Sequence, residues 1–412
     1  MIELETTDMA NGGEAVARAN GKTHFVAGAM PGEVVIASIT TDKGSWARAD
    51  LVEIRQASPH RIDPPCKHHG TCGGCQWQFA PIDLQRTWKR EILAGQLSHI
   101  GSIDPAVVKD ILGPSDAYRY RNRMDFKIKD GRLAFARPRS RDLTAIDECH
   151  LMSPKIAEIV NRLGPLDGVQ QLTVRASQNT DDALIVVKGK IPSHADTWGV
   201  DVGHRQRAEF TPVVGTCTMI ERIHDTDLRI TGDAFFQNNT RGAELLVALV
   251  SDILLVDKTD TLLDAYAGGG LFAATVGQTA ERVLAIESHP LAVRDLRRNL
   301  RVHLGAKAAI SRGTVEERVR TLDEYWTKAV VDPPRAGLGA QGVEAVTAAL
   351  PSRIAYVSCD PASLARDAKL LARAGYRLEH CTPVDMFPQT FHIETVSSFV
   401  LEGANSPGDA QD

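Results

Sequence analysis

TLLDAYAGGG, Thr261–Gly270, reads as a short buried strand that runs into a glycine turn. Downstream the same unit repeats. VLAIES is a strand and HPLAVRDLRRNLRVHL a helix; AAISRG is a strand and VEERVRTL a helix. KAVVDPP and GVEAVTAAL form the next such pair, RIAYVSCD and PASLARDAKLLARAG the one after. Short apolar strands alternating with helical patterns predict an α/β fold with a parallel, doubly wound sheet. Two further strands follow, LEHCTPVDM and HIETVSSFVLE, and the closing GANSPGDAQD reads as a polar, disordered tail.

Upstream the pattern changes twice. Residues 1–58 alternate apolar and polar positions and are broken by NGK, PGE and DKGS, which predicts a small β-barrel of the OB type. Residues 59–230 hold a run of three cysteines and a helix, then strands and helices without a repeat. The expected division is therefore 1–58, a central domain over 59–230, a catalytic domain over 231–402, and a tail over 403–412. A chain of 412 residues has room for such a set at ~100–200 residues per domain.

Hydrophobic content of 43% and charged content of 24% fit a soluble globular protein. No apolar run approaches the ~18 residues that cross a bilayer. The opening MIELETTDMANGG is acidic and lacks an apolar core, so it is no signal peptide, and a cytoplasmic protein is expected. Net charge is −5, which weighs against a nucleic-acid partner. The stretch Tyr118–Arg141 weighs the other way: nine basic residues face only Asp125 and Asp130. It predicts an anionic partner, with Arg121 and Arg123 as phosphate contacts. Seven cysteines, an odd number without a secretion signal, argue against a disulfide framework and for metal or catalytic roles.

In open α/β sheets ligands bind beyond the carboxyl ends of the strands. Gly268, Gly269 and Gly270 allow a tight turn and close approach of a ligand there. Glu287, 19 residues after Gly268, stands where a carboxylate accepts from both hydroxyls of a ribose. No G-x-G-x-x-G and no Walker lysine is present, which lowers NAD and ATP and leaves S-adenosylmethionine, a nucleoside with no phosphates to cradle. Asp332 is followed by Pro333 and Pro334, a rigid turn without backbone donors. Cys359 precedes a helix starting near Pro361, whose dipole favours the thiolate. Cys217 and Cys381 read as inert buried cysteines.

Taken together, FFQNN (Phe235–Asn239), DAYAGGG, DPPRAGL, SCDP and HIETVSSF resemble, in order and spacing, the RNA uracil-C5 methyltransferases. The resemblance covers nearly the whole chain. It implies a Rossmann-like class I methyltransferase domain, an α+β central domain, and a TRAM domain as the N-terminal barrel. It implies transfer of a methyl group from S-adenosylmethionine to carbon 5 of a uridine in RNA, with large-subunit ribosomal RNA expected and transfer RNA the alternative. A monomer without a membrane partner is expected. The chemistry needs a nucleophile at carbon 6 and a base for the carbon-5 proton. Cys359 fits the first. The residues alone leave His392 and Glu394 open for the second, two apart on one strand face; the resemblance implies Glu394. It also places Gln237, Tyr266, Gly268, Glu287 and Asp332 at the cofactor. The chain departs from some relatives at Leu271 and Gly313, where polar cofactor contacts are otherwise found. A non-catalytic RNA-binding protein, or a methyltransferase for cytosine or an amine, is the rival reading; an intact Cys359 and Glu394 oppose both.

CKHHGTCGGC supplies Cys66, Cys72 and Cys75, and DECH supplies Cys149. Four cysteines at this spacing predict a metal site, and spacing alone does not separate zinc from iron–sulfur. His68, His69 and His150 are alternative zinc ligands. The resemblance implies a [4Fe-4S] cluster, expected to be structural because methyl transfer moves no electron.

Overall fold

Small side chains alternate inward through the first strands, as a narrow barrel requires. The computed structural model describes residues 1–207, 209–319 and 325–403; the tail expected at 403–412 lies, beyond Gly403, outside them. Strands β1 (Ile2–Met9), β2 (Ala15–Ala19), β3 (Lys22–Ala27), β4 (Val34–Asp42) and β5 (Trp46–Gln56) close into a barrel of order β1-β2-β3-β5-β4. Leu4, Ala15, Ala17, Val26, Val35, Ala37 and Ala49 fill it. Four of these seven are alanines, because a five-stranded interior has little width to fill. The chain forms two compact units, and the barrel belongs to the one made of Met1–Ile92, Lys127–His150 and Phe387–His392.

In that unit the buried carboxylate of Glu33 receives a two-pronged bond from Arg61, at 2.5 and 2.9 Å. Trp77 packs edge-on against Trp88 and donates its indole N–H to the Gly13 carbonyl at 3.1 Å. That bond ties the segment after the cysteines to the barrel turn. Helix α1 (Ile82–Gln96) follows, then the antiparallel strands β6 (Arg123–Lys129), β7 (Arg132–Ala136) and β8 (Leu143–Ala145).

The second unit spans Leu93–Phe126, Leu151–Met386 and the chain from Ile393 on. Helix α2 (Pro154–Val160) leads into β9 (Val169–Ala176), β10 (Ala183–Gly189), β11 (Asp201–Gln206) and β12 (Glu209–Val214), neighbours in that order. A hairpin, β13 (Thr218–Ile223) and β14 (Thr226–Thr231), precedes helix α3 (Thr240–Leu254). Then come β15 (Thr261–Ala265), α4 (Leu271–Val276), β16 (Arg282–Glu287), α5 (Pro290–His303), β17 (Ala308–Arg312) and α6 (Val315–Val319). The rest of VEERVRTL lies outside the described residues. The chain continues through β18 (Lys328–Val331), α7 (Gly339–Ala348), β19 (Arg353–Ser358), α8 (Pro361–Arg373), β20 (Tyr376–Val384) and β21 (Glu394–Leu401).

The sheet order is β17-β16-β15-β18-β19-β21-β20. From β17 to β19 all neighbours are parallel. The parallel pattern stops there: β21 is antiparallel to both β19 and β20. Strands β20 and β21 are joined by a loop with no crossover helix, so they can pair only antiparallel. All five residues of β15 are buried, as expected of a strand covered on both faces. The chain leaves β15 toward β16 and β17, then returns to β18 on the other side. The crevice at the carboxyl ends of β15 and β18 is the switch point at which such sheets take ligands.

Candidate active site

The glycine turn is held from three directions. Gly268 and Gly270 adopt φ of 55° and 92°, conformations that suit glycine. A Cβ on Gly270 would also lie 2.8 Å from Leu296. The Gly268 N–H donates to Glu287 at 2.9 Å, and Ser288 and His289 donate theirs to the other Glu287 oxygen at 2.7 and 2.6 Å. Glu287 is thus fixed at the end of β16 by three backbone donors. Asp264, wholly buried inside β15, accepts from the Ala273 N–H at 2.8 Å and pins the first turn of α4; burial, against that bond, pushes its carboxyl up to about 7. Asn299 of α5 donates to the Gly269 carbonyl at 2.8 Å and braces the turn from outside. Tyr266 has φ of 65° and donates its hydroxyl to Glu316 at 2.8 Å. Leu271 is buried at the start of α4, and the Gly313 N–H is taken by the Glu287 carbonyl at 3.1 Å.

Across the crevice, β18, β19 and β21 bring the reactive groups together. In the β19–β21 ladder Ser358 stands opposite Thr395. Cys359 follows the last residue of β19 and Glu394 is the first of β21, so thiol and carboxylate leave the ladder at the same end. Cys359 is partly exposed, whereas Glu394 is 5% exposed. Burial raises the Glu394 carboxyl well above its ordinary value, the Asp332 charge adds to this, and Arg335 opposes it. Burial likewise pushes Asp332 up to about 7. Gln237, buried in the loop before α3, reaches toward the Asp332 carboxylate at 3.5 Å. The structure therefore gathers Cys359, Glu394, Asp332 and Gln237 on one side and Gly268, Glu287 and Tyr266 on the other.

Two expectations change. Cys359 does precede a helix, capped by Asp360 on the Ser363 N–H at 2.7 Å. Yet burial first, then the charges of Glu394 and Asp332, push the thiol up to about 11. Desolvation and the neighbouring carboxylates outweigh Arg335. His392 does not share a strand face with Glu394, because β21 begins at Glu394 itself. Cys217 and Cys381 are buried, with burial pushing both thiols up to about 12; Cys381 is not without polar company, since the Ser397 hydroxyl donates to it at 3.1 Å.

Supporting residues escaped the sequence reading. Asp367 of α8 accepts from Tyr356 at 2.8 Å, Leu338 N–H at 2.6 Å and Gly339 N–H at 3.1 Å, and Ser363 donates to the Arg335 carbonyl at 2.7 Å. Together they hold the turn that follows Asp332. Asn122 donates to the Gln237 carbonyl at 3.1 Å and to the Thr240 hydroxyl at 3.0 Å, seating the Gln237 loop. Asp264 had a signal, an acid inside an apolar run. The others sit on amphipathic or polar stretches where nothing marks them.

The cysteine loop is tied to the segment that carries Cys149. Thr144 donates to the Thr71 carbonyl at 3.1 Å, Lys67 pairs with Asp147 at 2.7 Å, and the His68 imidazole meets Asp147 at 2.8 Å. Cys66, Cys72, Cys75 and Cys149 are all partly exposed and all in one unit. Their thiols are the donor type an iron–sulfur cluster takes. Among the described residues, however, no three His, Cys, Asp or Glu side chains are gathered as a metal ion would need them.

The basic stretch is divided in its use. Arg123 binds Asp125 at 3.0 Å and the Asp233 carbonyl at 3.2 Å, so its guanidinium is engaged within the fold. Arg121 is half-buried, its backbone bridging to Met152 and Asn239. Arg139 pairs with Glu14 and Asp50. Lys129, Arg137 and Arg141 remain exposed around a cavity of about 470 Å³.

A model of the tRNA (uracil-5-)-methyltransferase family matches residues 218–401. An uncharacterized RNA methyltransferase of Streptomyces avermitilis is 33% identical over 98% of this chain and 98% of its own length. A 23S rRNA (uracil(1939)-C(5))-methyltransferase of Pectobacterium atrosepticum is 32% identical over 94% of this chain and 91% of its own. Among solved structures, the Pyrococcus abyssi tRNA (uracil-54, C5)-methyltransferase in complex with S-adenosyl-L-homocysteine superimposes with a TM-score of 0.78 at 24% identity, covering 97% of this chain and 100% of that one.

Proposed function

This chain belongs to the RNA uracil-C5 methyltransferases, which use S-adenosylmethionine, and from that premise we propose that Cys359 and Glu394 carry its chemistry on a uridine of large-subunit ribosomal RNA. The observation that carries the assignment is the β19–β21 register, which leaves the thiol and the buried carboxylate side by side next to Asp332. The partly exposed Cys359 thiol gives its proton to solvent water, and its sulfur bonds to carbon 6 of the uracil. The carbon 5–carbon 6 π electrons move toward the carbon-4 oxygen, giving an enolate with electron density on carbon 5. Carbon 5 takes the sulfonium methyl, and the broken S–CH₃ pair stays on sulfur as S-adenosylhomocysteine. Glu394 removes the carbon-5 proton, that bond's electrons restore the double bond, and Cys359 departs. A carboxyl raised by burial is a stronger base than an exposed one.

Glu287 and Gly268 hold the nucleoside end of the cofactor, Tyr266, Gln237 and Asp332 line its other side, and Gln237 with Asp332 reaches the uracil. The OB-type barrel acts as a TRAM domain, and the unit that contains it presents Lys129, Arg137 and Arg141 to RNA. Cys66, Cys72, Cys75 and Cys149 would hold a [4Fe-4S] cluster as a structural cross-link of their loop; the ties from Thr71, Lys67 and His68 to the segment that carries Cys149 support this. The protein works as a cytoplasmic monomer. No helix among the described residues is long and apolar enough to cross a membrane. Mapping 5-methyluridine in ribosomal and transfer RNA with and without this gene tests the substrate. A site lost from large-subunit RNA supports the proposal, and a site lost only from transfer RNA replaces it.

A further inference from the structure

A second cationic site lies on strands β9, β10 and β11, built from residues outside the Tyr118–Arg141 stretch although β9 neighbours β6 of that stretch. Lys188 pairs with Gln171 on β9, and the parallel register Val187–His204 sets Arg205 of β11 beside it. Gln171, Lys188 and Arg205 thus form one row across three strands. The row floors a cavity of about 540 Å³ whose walls include Arg207, Asp233 and the start of α5 at His289.

The groups differ in freedom. Arg205 is fixed, bonded to Asp233 at 2.9 Å and laid over the Phe210 ring at 5.4 Å. Lys188, Arg207 and His289 have exposed side chains, and neither Lys188 nor Arg207 has an ion-pair or hydrogen-bond partner among the described residues. Three permanent cations face the single carboxylate of Asp233, so the cavity is positive. A fixed guanidinium flanked by two adaptable cations is what a phosphodiester needs, one group orienting and two neutralising. Two of its walls lie on segments that also supply the catalytic crevice. Asp233 lies four residues before Gln237, and His289 lies two after Glu287. S-adenosylmethionine has no phosphate to fill this cavity, but an RNA strand that delivers a uridine to Cys359 carries one at every nucleotide.

Resting on the methyltransferase reading above, we propose that the Lys188–Arg205–Arg207 cavity grips the phosphodiester backbone of the RNA strand flanking the target uridine. The contact positions the strand without reading its bases. The test uses the full-length protein and fluorescein-labelled large-subunit ribosomal RNA transcribed without modifications. Affinity is measured against potassium chloride concentration for the wild type, for K188A/R207A and for the charge-keeping K188R/R207K. The alanine pair should weaken binding about tenfold near 0.1 M salt and lower the salt slope by about 1.4, the loss of two single-strand phosphate contacts. K188R/R207K should keep the wild-type slope. Both variants should keep the wild-type melting temperature and S-adenosylmethionine affinity. Unchanged RNA affinity and slope in K188A/R207A, with the wild type still methylating the transcript, would overturn the cavity's role alone. A wild type that makes no 5-methyluridine in ribosomal or transfer RNA would overturn the functional reading and this proposal with it.

Discussion

In the proposed mechanism Cys359 starts as a neutral thiol, since burial, Glu394 and Asp332 push it up to about 11. The proton must leave before sulfur can bond to carbon 6, so the rate of adduct formation should rise with pH between 7 and 9. Arg335 is the charge that favours the thiolate. Arg335→Ala should therefore slow adduct formation at neutral pH and move the rise to higher pH; stopped-flow measurement across that range checks both, and a flat profile in the wild type contradicts the account. Glu394 acts later. Glu394→Gln keeps the shape and removes the base, so a methylated covalent complex should accumulate on a denaturing gel. Normal turnover would pass the role to another base, and inactivity without adduct would mean that Glu394 acts before methyl transfer. Cys359 was legible in the sequence because a thiol at a strand end beside a helix is conspicuous. Its protonation state was not, because the opposing carboxylates arrive from β18 and β21, and only the sheet order reveals them.

At the scale of elements, the turns that hold the site depend on helices whose sequences look ordinary. Asp367 closes the loop after Asp332 by accepting from Tyr356, Leu338 and Gly339. Asp367→Ala leaves those buried donors without an acceptor and should cost about 3 kcal/mol of stability, together with weaker turnover as the Arg335 loop loosens; thermal melting and kcat measure the two, and a wild-type melting temperature would contradict the assignment. The strand–helix alternation from Thr261 to Arg373 was readable because each strand is a short apolar run bounded by turn residues. The antiparallel return of β20 and β21 was not, since pairing direction depends on the connection. Nor were Asn299 and Asp367, which fall on helix positions that a solvent-facing side chain would equally occupy.

For the whole molecule, net charge misleads and distribution informs. A chain of net charge −5 still presents exposed cations at Arg137 and Arg141 and at Lys188 and Arg207, and the second pair was invisible until three strands were laid side by side. The cysteine spacing, with Cys149 in DECH, predicts a metal site from the sequence; what the sequence hides is the ties from Thr71, Lys67 and His68 to the segment that carries Cys149. Anaerobically purified protein should be brown and contain iron and sulfide, and Cys72→Ala should lower its melting temperature; zinc in place of iron would rule the cluster out. The proposed mechanism requires a covalent bond between Cys359 and uracil. Ribosomal RNA carrying 5-fluorouridine traps that bond, because fluorine on carbon 5 cannot leave as a proton does. Mixed with S-adenosylmethionine, wild-type protein should form a complex with this RNA that survives denaturation and carries the transferred methyl, and Cys359→Ala should form none. Absence of the complex in the wild type, or its persistence in Cys359→Ala, would contradict the mechanism.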